Sequence, residues 1–281
     1  MYDQKITCVV VTYNRKKCLY QNLAALLMQT RPLDEIIIVD NACTDGTYKY
    51  VSEIVKKNPI IHYYRLPENT GGAGGFSWGI KKAFQGGSDY IWGMDDDAVP
   101  EPNALEELLF ASEKIKYVAA LWSNCDGKCN NEIIKVSTWM FVGFFLPKEI
   151  IERVGMPRKD YFIYWDDHEY ALRIQKSGYN IYKIKKSVII HQDTNKIYYP
   201  EKKIGFIHFK MFKMPDWKVY YYYRNKILTY GWNEKNKYYT IFIEIPKNII
   251  KSFFYHNGQG NIIIKALFDG IANRTGKRMS P

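Results

Sequence analysis

Apolar runs and amphipathic stretches alternate along the first seventy residues. Ile6 to Thr12 is apolar or β-branched throughout, which predicts a strand buried on both faces, as in parallel sheets. Tyr13-Asn14-Arg15 ends it. Leu19, Leu23, Leu26 and Leu27 then recur at helical spacing until Thr30-Arg31-Pro32. Glu35 to Asp40 predicts a second buried strand. Asn41 to Thr47 closes it as a polar turn, with Thr44 or Asp45 capping a helix to about Lys57. Ile60 to Leu66 predicts a third strand. This alternation implies right-handed crossovers and a doubly wound α/β sheet.

Glu68 to Phe76 places four glycines in five residues ahead of a predicted helix, Ser77 to Phe84. Backbone N–H groups left bare before a helix can cradle phosphate oxygens. The same glycines could instead make a tight turn under a close-packed helix. The run is neither a dinucleotide fingerprint, since Ser77 stands at the last glycine, nor a P-loop, since no Gly-Lys-Ser/Thr follows.

Tyr90 to Met94 predicts a short buried strand that stops in Asp95-Asp96-Asp97. On an extended strand Asp95 and Asp97 share a face, about 7 Å apart. Paired carboxylates repel unless a cation lies between them. At the carboxyl end of a central strand that reading is a divalent metal holding a phosphate. The alternative is a solvated acidic turn before the helix predicted from Asn103 to Lys116. Pro100, where a calcium loop needs glycine, excludes an EF-hand.

Tyr117 to Trp122 predicts another strand, and the aromatic run Thr138 to Leu146 predicts core. A second acid pair, Asp166-Asp167, precedes a helix from Glu169 to Ser177 with Gly178 as its cap. Acids there can be simple helix caps, or a general base facing a sugar ring. Ile181 to Ile184 and Val188 to His191 predict two further strands. From the residues alone, His191, His168 and His62 read as structural.

Charge divides the chain. Residues 1–195 hold 24 Lys/Arg against 24 Asp/Glu, whereas residues 196–281 hold 16 against 5, the whole net charge of +11. The second segment also carries 19 of the 45 aromatics. Two parts are therefore expected, 1–195 and 196–281. Trp217 to Lys226 and Ile241 to Phe254, the latter with Lys247 and Lys251, interleave cations with aromatic and aliphatic residues. Such helices lie in a membrane interface and are drawn to anionic lipid. They could equally complete a helical subdomain or join copies of the chain. No run of about 18 uncharged apolar residues occurs, and from Met1 to Lys5 no leader is expected. Five scattered cysteines fit a reducing cytoplasm, and Cys125 with Cys129 lacks the second pair a zinc site needs.

Taken in order, Val9 to Arg15, Val39 to Thr47, Glu68 to Phe76, Asp95-Asp96-Asp97, Trp165-Asp166-Asp167 and His191 resemble a known family. Over roughly residues 5–195 the chain is similar to the inverting family-2 glycosyltransferases of GT-A fold. Within them it resembles the bacterial galactofuranosyl- and rhamnosyltransferases that build surface polysaccharides.

The resemblance implies that Thr12, Tyr13, Arg15 and Asp40 hold a nucleoside. It sets Gly71, Gly72, Ala73, Gly74 and Phe76 against the donor diphosphate and sugar. Asp95 and Asp97 match the D-x-D acids, bridged to the diphosphate by Mn²⁺ or Mg²⁺, with Asp96 also at the donor. His191 matches a third metal ligand, displacing its structural reading. Asp167 matches the catalytic base, with Trp139, Trp165 and Asp166 as candidate acceptor contacts. Cys43 stands where serine is usual.

The implied donor is UDP-galactofuranose first and dTDP-rhamnose second. The implied acceptor is a lipid-linked sugar or glycan at the inner face of the cytoplasmic membrane, with no nucleic acid partner. Related enzymes often carry Tyr-Tyr-x-x-Arg-Asn, here Tyr220 to Asn225, and a closing Gly-x-x-x-Arg-Thr-Gly, here Gly270 to Gly276. Two rival classes fit less well. A sugar nucleotidyltransferase would show a glycine-containing loop after the first strand, which Thr12-Tyr13-Asn14-Arg15 lacks. A nucleic-acid-binding module leaves both acid clusters unexplained.

Overall fold

A computed structural model describes residues 4–191, 198–204, 207–209, 211–230 and 234–280. They form two compact units, and the second also includes Asp160–Asp166. The expected boundary at 195/196 lies outside the described residues.

The first unit is a nine-stranded sheet with helices against it. In chain order it runs β1 (Ile6–Thr12), α1 (Lys16–Leu27), β2 (Glu35–Asp40), α2 (Thr47–Val55), β3 (Ile61–Arg65), α3 (Gly71–Gln85) and β4 (Tyr90–Asp95). Then follow β5 (Ala98–Pro100), α4 (Ala104–Lys114), β6 (Ala120–Asn124), β7 (Ile133–Val136), β8 (Phe144–Pro147), α5 (Lys148–Val154), α6 (Asp166–Lys176) and β9 (Ile181–His191). Helix α6 begins in the residues that belong to the second unit.

The strand order is β3-β2-β1-β4-β8-β6-β9-β5, with β7 added beside β9. Strands β3, β2, β1 and β4 are mutually parallel, as the strand–helix alternation requires. All seven residues of β1 are buried, which is why that strand has no polar face to alternate with. Beyond β4 the sheet is mixed: β8 runs antiparallel to both β4 and β6, while β6 and β9 are parallel. Phe144 pairs across from Gly93, where a Cβ would lie 2.0 Å from its ring. Only glycine lets that aromatic cross the strand.

Three expectations are corrected. Strand β4 ends at Asp95, and Asp96 and Asp97 form a turn, so Asp95 and Asp97 do not share one strand face. The turn arises because β5 reverses direction to pair antiparallel with β9. The two strands expected over 181–191 are one strand, β9, whose pairing with β6 shifts register between Ser123 and Asn124. The glycine run is not a loop but the first turns of α3.

The second unit contains α7 (Asp216–Thr229), α8 (Lys235–Tyr239), α9 (Ile245–Tyr255), α10 (Gln259–Ile271) and a hairpin of β10 (Lys202–Ile204) and β11 (Ile207–Phe209). Its own core holds Phe162, Val219, Tyr220, Tyr221, Ile227, Ile245, Ile263 and Ala266. Helix α10 packs on α7 at Gly270, where a Cβ would meet Ile227 at 2.9 Å. The turn between α8 and α9, Thr240–Glu244, is a π-helix. Pro246 supplies no N–H to the carbonyl four residues earlier, and widening the preceding turn accommodates that loss.

Candidate functional site

Parallel pairing brings the ends of β1, β2 and β4 to one edge of the sheet. Thr12 lies beside Asp40, and Val11 beside Asp95. The carboxyl edge of such strands is where α/β sheets place ligands.

The acid turn is the electrostatic centre of this edge. Asp96 and Asp97 are each 3% exposed. Thr12 Oγ1 donates to Asp96 Oδ2 at 2.6 Å. Arg15 donates to Asp97 Oδ2 and lies 3.7 Å from Asp96 Oδ1. The β5–β9 register sets Ala98 opposite His191, which carries the ring to Asp97: Nε2 is 3.2 Å from Oδ1. Burial, then the Asp97 and Asp96 charges, push Asp95 well above the usual carboxylate range. Burial pushes Asp96 up to about 7, against the pull of the Thr12 hydrogen bond and of Arg15. Asp97 goes the other way: His191 and Arg15 outweigh its burial and hold it low. Beside Asp97, His191 titrates above its ordinary value.

These residues fit a divalent cation in charge and donor type. Asp97 Oδ1 is buried without a hydrogen bond, although an imidazole nitrogen stands 3.2 Å away. An orphaned carboxylate oxygen beside a ring nitrogen is the donor pair that Mn²⁺ or Mg²⁺ accepts. Among the described residues no three such side chains already stand as a metal-ligand set. Arg15 occupies the other Asp97 oxygen instead.

Asp40 is fully buried. Its Oδ1 accepts the Cys43 N–H at 2.6 Å and its Oδ2 accepts the Tyr63 hydroxyl. The residue thus shapes the turn after β2. Asn41 then ties that turn to α3: its amide donates to Gly71 O at 3.1 Å and accepts the Thr70 hydroxyl at 2.9 Å. Cys43 accepts the Asn14 N–H at 3.1 Å, a bond serine would also accept, and burial raises the thiol to about 12. Tyr13 is 41% exposed at the same edge. Asn14 and Asn41 fall within the matched stretches but take no implied role there, and Tyr63 lies outside them; their bonds to Thr44, Gly71 and Asp40 mark all three.

The glycines of α3 answer mainly to packing. A Cβ at Gly75 would lie 2.6 Å from Val11, and one at Gly79 2.4 Å from Val9. They let the helix lie directly on β1. Ala73, Gly74 and Phe76 are buried, and Phe76 packs tilted against Phe141 and edge-on against Phe144, so its ring belongs to the core and not to a donor surface. Gly72 is different, with open space where a Cβ would stand. Gly75→Ala is therefore expected to destabilise the fold by about 1–3 kcal/mol. Gly72→Ala should be neutral or stabilising by up to about 1 kcal/mol. Urea unfolding of the two variants checks this, and equal effects would contradict the packing account.

Asp167 sits in the first turn of α6. Its Oδ1 accepts the His168 N–H at 2.7 Å. Its backbone carbonyl accepts the indole N–H of Trp139 at 3.1 Å. Trp139 is 1% exposed and packs against Phe141, Phe144 and Tyr170, which removes it from the acceptor contacts. Its neighbour Thr138 bonds His168 Nδ1 at 2.7 Å. These contacts connect Asp167 through Trp139 and Phe144 to Gly93, two residues before Asp95. Burial raises the Asp167 carboxyl to about 6, partly offset by the backbone N–H bonds. Trp165 and Asp166 precede it at φ +69° and as the first residue of α6.

A four-strand parallel half joined to a mixed half, with an acidic turn at the end of the strand where they meet, is the GT-A architecture of nucleotide-sugar enzymes. The chain belongs to glycosyl transferase family 2, whose description covers residues 7–214. It is 29% identical over 203 residues to the galactofuranosyltransferase GlfT1 of Mycobacterium tuberculosis, covering 62% of this chain. The chain spans 66% of that relative's length. Among solved structures it resembles the mannosyltransferase PcManGT from Pyrobaculum calidifontis, a complex with GDP-Man and Mn²⁺. There the TM-score is 0.64 at 15% identity, over 98% of this chain and 89% of that one. S. aureus TarS 1-349 in complex with UDP-GlcNAc gives 0.62 at 13% identity, over 95% and 81%. At those identities the likeness is one of fold.

Proposed function

We propose that this chain is an inverting, divalent-metal-dependent glycosyltransferase that moves galactofuranose from UDP-galactofuranose to a lipid-linked or glycan acceptor in surface-polysaccharide synthesis. The observation that carries it is the pair of unlike carboxyl environments. The acid turn beside Arg15 and His191 suits a cation and a diphosphate, and Asp167, raised to about 6 by burial, suits a proton acceptor. The galactofuranosyl donor rests on the likeness to GlfT1.

Asp95, Asp97 and His191 would hold Mn²⁺ or Mg²⁺, which when bound neutralises the charge growing on the departing diphosphate. The exposed Tyr13 and the guanidinium of Arg15 stand at the same edge as donor contacts. Gly72, at the open start of α3, offers backbone to the diphosphate. Asp167 takes the proton from the acceptor hydroxyl as that oxygen forms the new bond to the anomeric carbon. The bond from that carbon to the diphosphate oxygen breaks on the opposite face, so the centre inverts and UDP leaves. Trp165 and Asp166, next to the base in sequence, are the proposed acceptor contacts. A thermal-shift screen of nucleotide sugars tests the donor: UDP-galactofuranose with Mn²⁺ should raise Tm more than UDP-glucose, GDP-mannose or dTDP-rhamnose. A larger rise with another donor would reassign the sugar.

The second unit fits peripheral attachment to the inner face of the cell membrane. No helix among the described residues is long and apolar enough to cross a bilayer. Yet Phe242, Phe253 and Phe268 are 67%, 73% and 64% exposed, with Ile243 and Ile250 at 54% each. Lys247 and Lys251 lie on α9 with Ile250 and Phe253. Apolar side chains with cations between them suit an anionic interface. Phe242→Ser with Phe253→Ser should weaken binding to vesicles containing anionic phospholipid by at least about tenfold, given about 1.5–3 kcal/mol per buried ring. Transfer to a water-soluble acceptor should be unchanged. Unaltered vesicle sedimentation would refute the attachment.

A further inference from the structure

Three residues just ahead of the proposed base hold a conformation that side chains resist. Phe162, Tyr164 and Trp165 have φ of +68°, +64° and +69°. Each such non-glycine residue is strained and persists only where its surroundings enforce it. The enforcing groups lie on α7. Asn225 Nδ2 donates to the carbonyls of Tyr161, Ile163 and Tyr164 at 2.9, 2.8 and 2.9 Å. Two hydrogens serve three acceptors, so one is shared. Arg224 Nη2 donates to Tyr161 O at 3.0 Å and to Asp160 O at 3.3 Å, while Nη1 donates to Gly276 O at 2.6 Å. Arg224 Nε donates to Asn225 Oδ1 at 2.8 Å, which fixes the amide with its NH₂ toward the loop.

Both side chains are 0% exposed. The Gly276 N–H returns a bond to Asp160 O at 2.8 Å. Tyr222 and Tyr230 flank the Trp165 ring edge-on, with the Lys226 ammonium 5.2 Å from it. A buried guanidinium and a buried amide that bond each other and otherwise only backbone carbonyls are expensive unless the held geometry matters.

We infer that Arg224 and Asn225 are positioning residues for catalysis: they lock the strained loop Tyr161–Trp165 and so fix where the chain delivers Asp167, two residues further on. This rests on the reading of Asp167 as base. Helical propensity alone would start α6 but would not decide the direction from which its first turn is entered. The two tail motifs thereby acquire a task, since Arg224-Asn225 and Gly276 converge on the same loop.

The test uses the full chain, with UDP release from UDP-galactofuranose and amide hydrogen exchange as readouts. Asn225→Ala should lower kcat by about 10–100-fold with the donor KM unchanged, the range found when a supporting residue is lost. Exchange across residues 161–168 should rise, with β1 to β4 unaffected. Combined with Asp167→Asn, it should slow the enzyme no further than Asp167→Asn alone, because a residue acting through the base has nothing left to act through. General damage to the fold would instead make the two losses multiply.

If Asn225→Ala does not fold, Arg224→Lys decides, since it keeps the cation but cannot reproduce the fork to Asn225, Tyr161 and Gly276. Normal kcat and unchanged exchange in the folded variant would overturn the inference. Wild-type turnover in Asp167→Asn would instead overturn the assignment of the base. Should another nucleotide sugar prove to be the donor, the exchange readout still decides.

Discussion

Asp167→Asn is expected to cut turnover by about 10²–10⁴-fold while nucleotide binding stays as in the wild type. Asparagine keeps the shape and can still accept the His168 N–H that now meets Oδ1, so the first turn of α6 should persist. What it cannot do is take a proton. Burial raises the Asp167 carboxyl to about 6, which makes it a stronger base than an exposed aspartate and still mostly ionised at neutral pH. The sign of the pH dependence follows. The base must be unprotonated, so log kcat should fall with unit slope below about pH 6 and level off above it. That limb should vanish from the residual rate of Asp167→Asn. Isothermal titration with UDP alongside the pH–rate profile separates binding from chemistry. Near-normal turnover in the variant would remove Asp167 from the mechanism.

The order of β1 to β4 was legible because buried parallel strands are continuous apolar runs, and β2 begins and ends at the residues its pattern marks. Their polar termini, Thr12, Asp40 and Asp95, were legible as an edge for the same reason. What escaped the pattern was set by partners far away in sequence. β5 is three residues long and exists only because β9 pairs with it, and that pairing brings Asp97 to His191. The helical start of α3 is invisible to propensity, because glycine is a poor helix former. Gly75 and Gly79 are required by Val11 and Val9 on another element. Phe162, Tyr164 and Trp165 are left-handed aromatic residues that nothing local would place in that conformation. It becomes intelligible only through Arg224 and Asn225, some sixty positions later.

Asp95→Asn should separate stability from function. Asp95 lies in a site where burial and two neighbouring acids penalise its charge. An acid whose folded pKa is raised costs nothing below its unfolded value, near 4, and costs progressively more as pH rises toward the folded value. Asp96, raised to about 7, behaves alike, whereas Asp97, held low, contributes stability that is lost in acid. Removing the Asp95 carboxylate therefore relieves the metal-free protein. At pH 7.5, in chelator, Asp95→Asn should be more stable than wild type by roughly 1–3 kcal/mol, with the difference shrinking toward pH 4.5.

Added Mn²⁺ should reverse the order. At 100 times its dissociation constant a ligand stabilises by about 2.7 kcal/mol, and only the wild type retains the full donor set. Transfer by the variant should fall by about 10³-fold, the scale of several kcal/mol of charge stabilisation. Urea denaturation at two pH values, with and without Mn²⁺, gives all four comparisons. The crossing is the decisive feature. A carboxylate kept for packing would destabilise the protein when removed under every condition. One kept for a cation costs stability until the cation arrives. If Asp95→Asn is less stable than wild type in chelator and gains as much from Mn²⁺, the acid turn is a structural turn and the site must lie elsewhere.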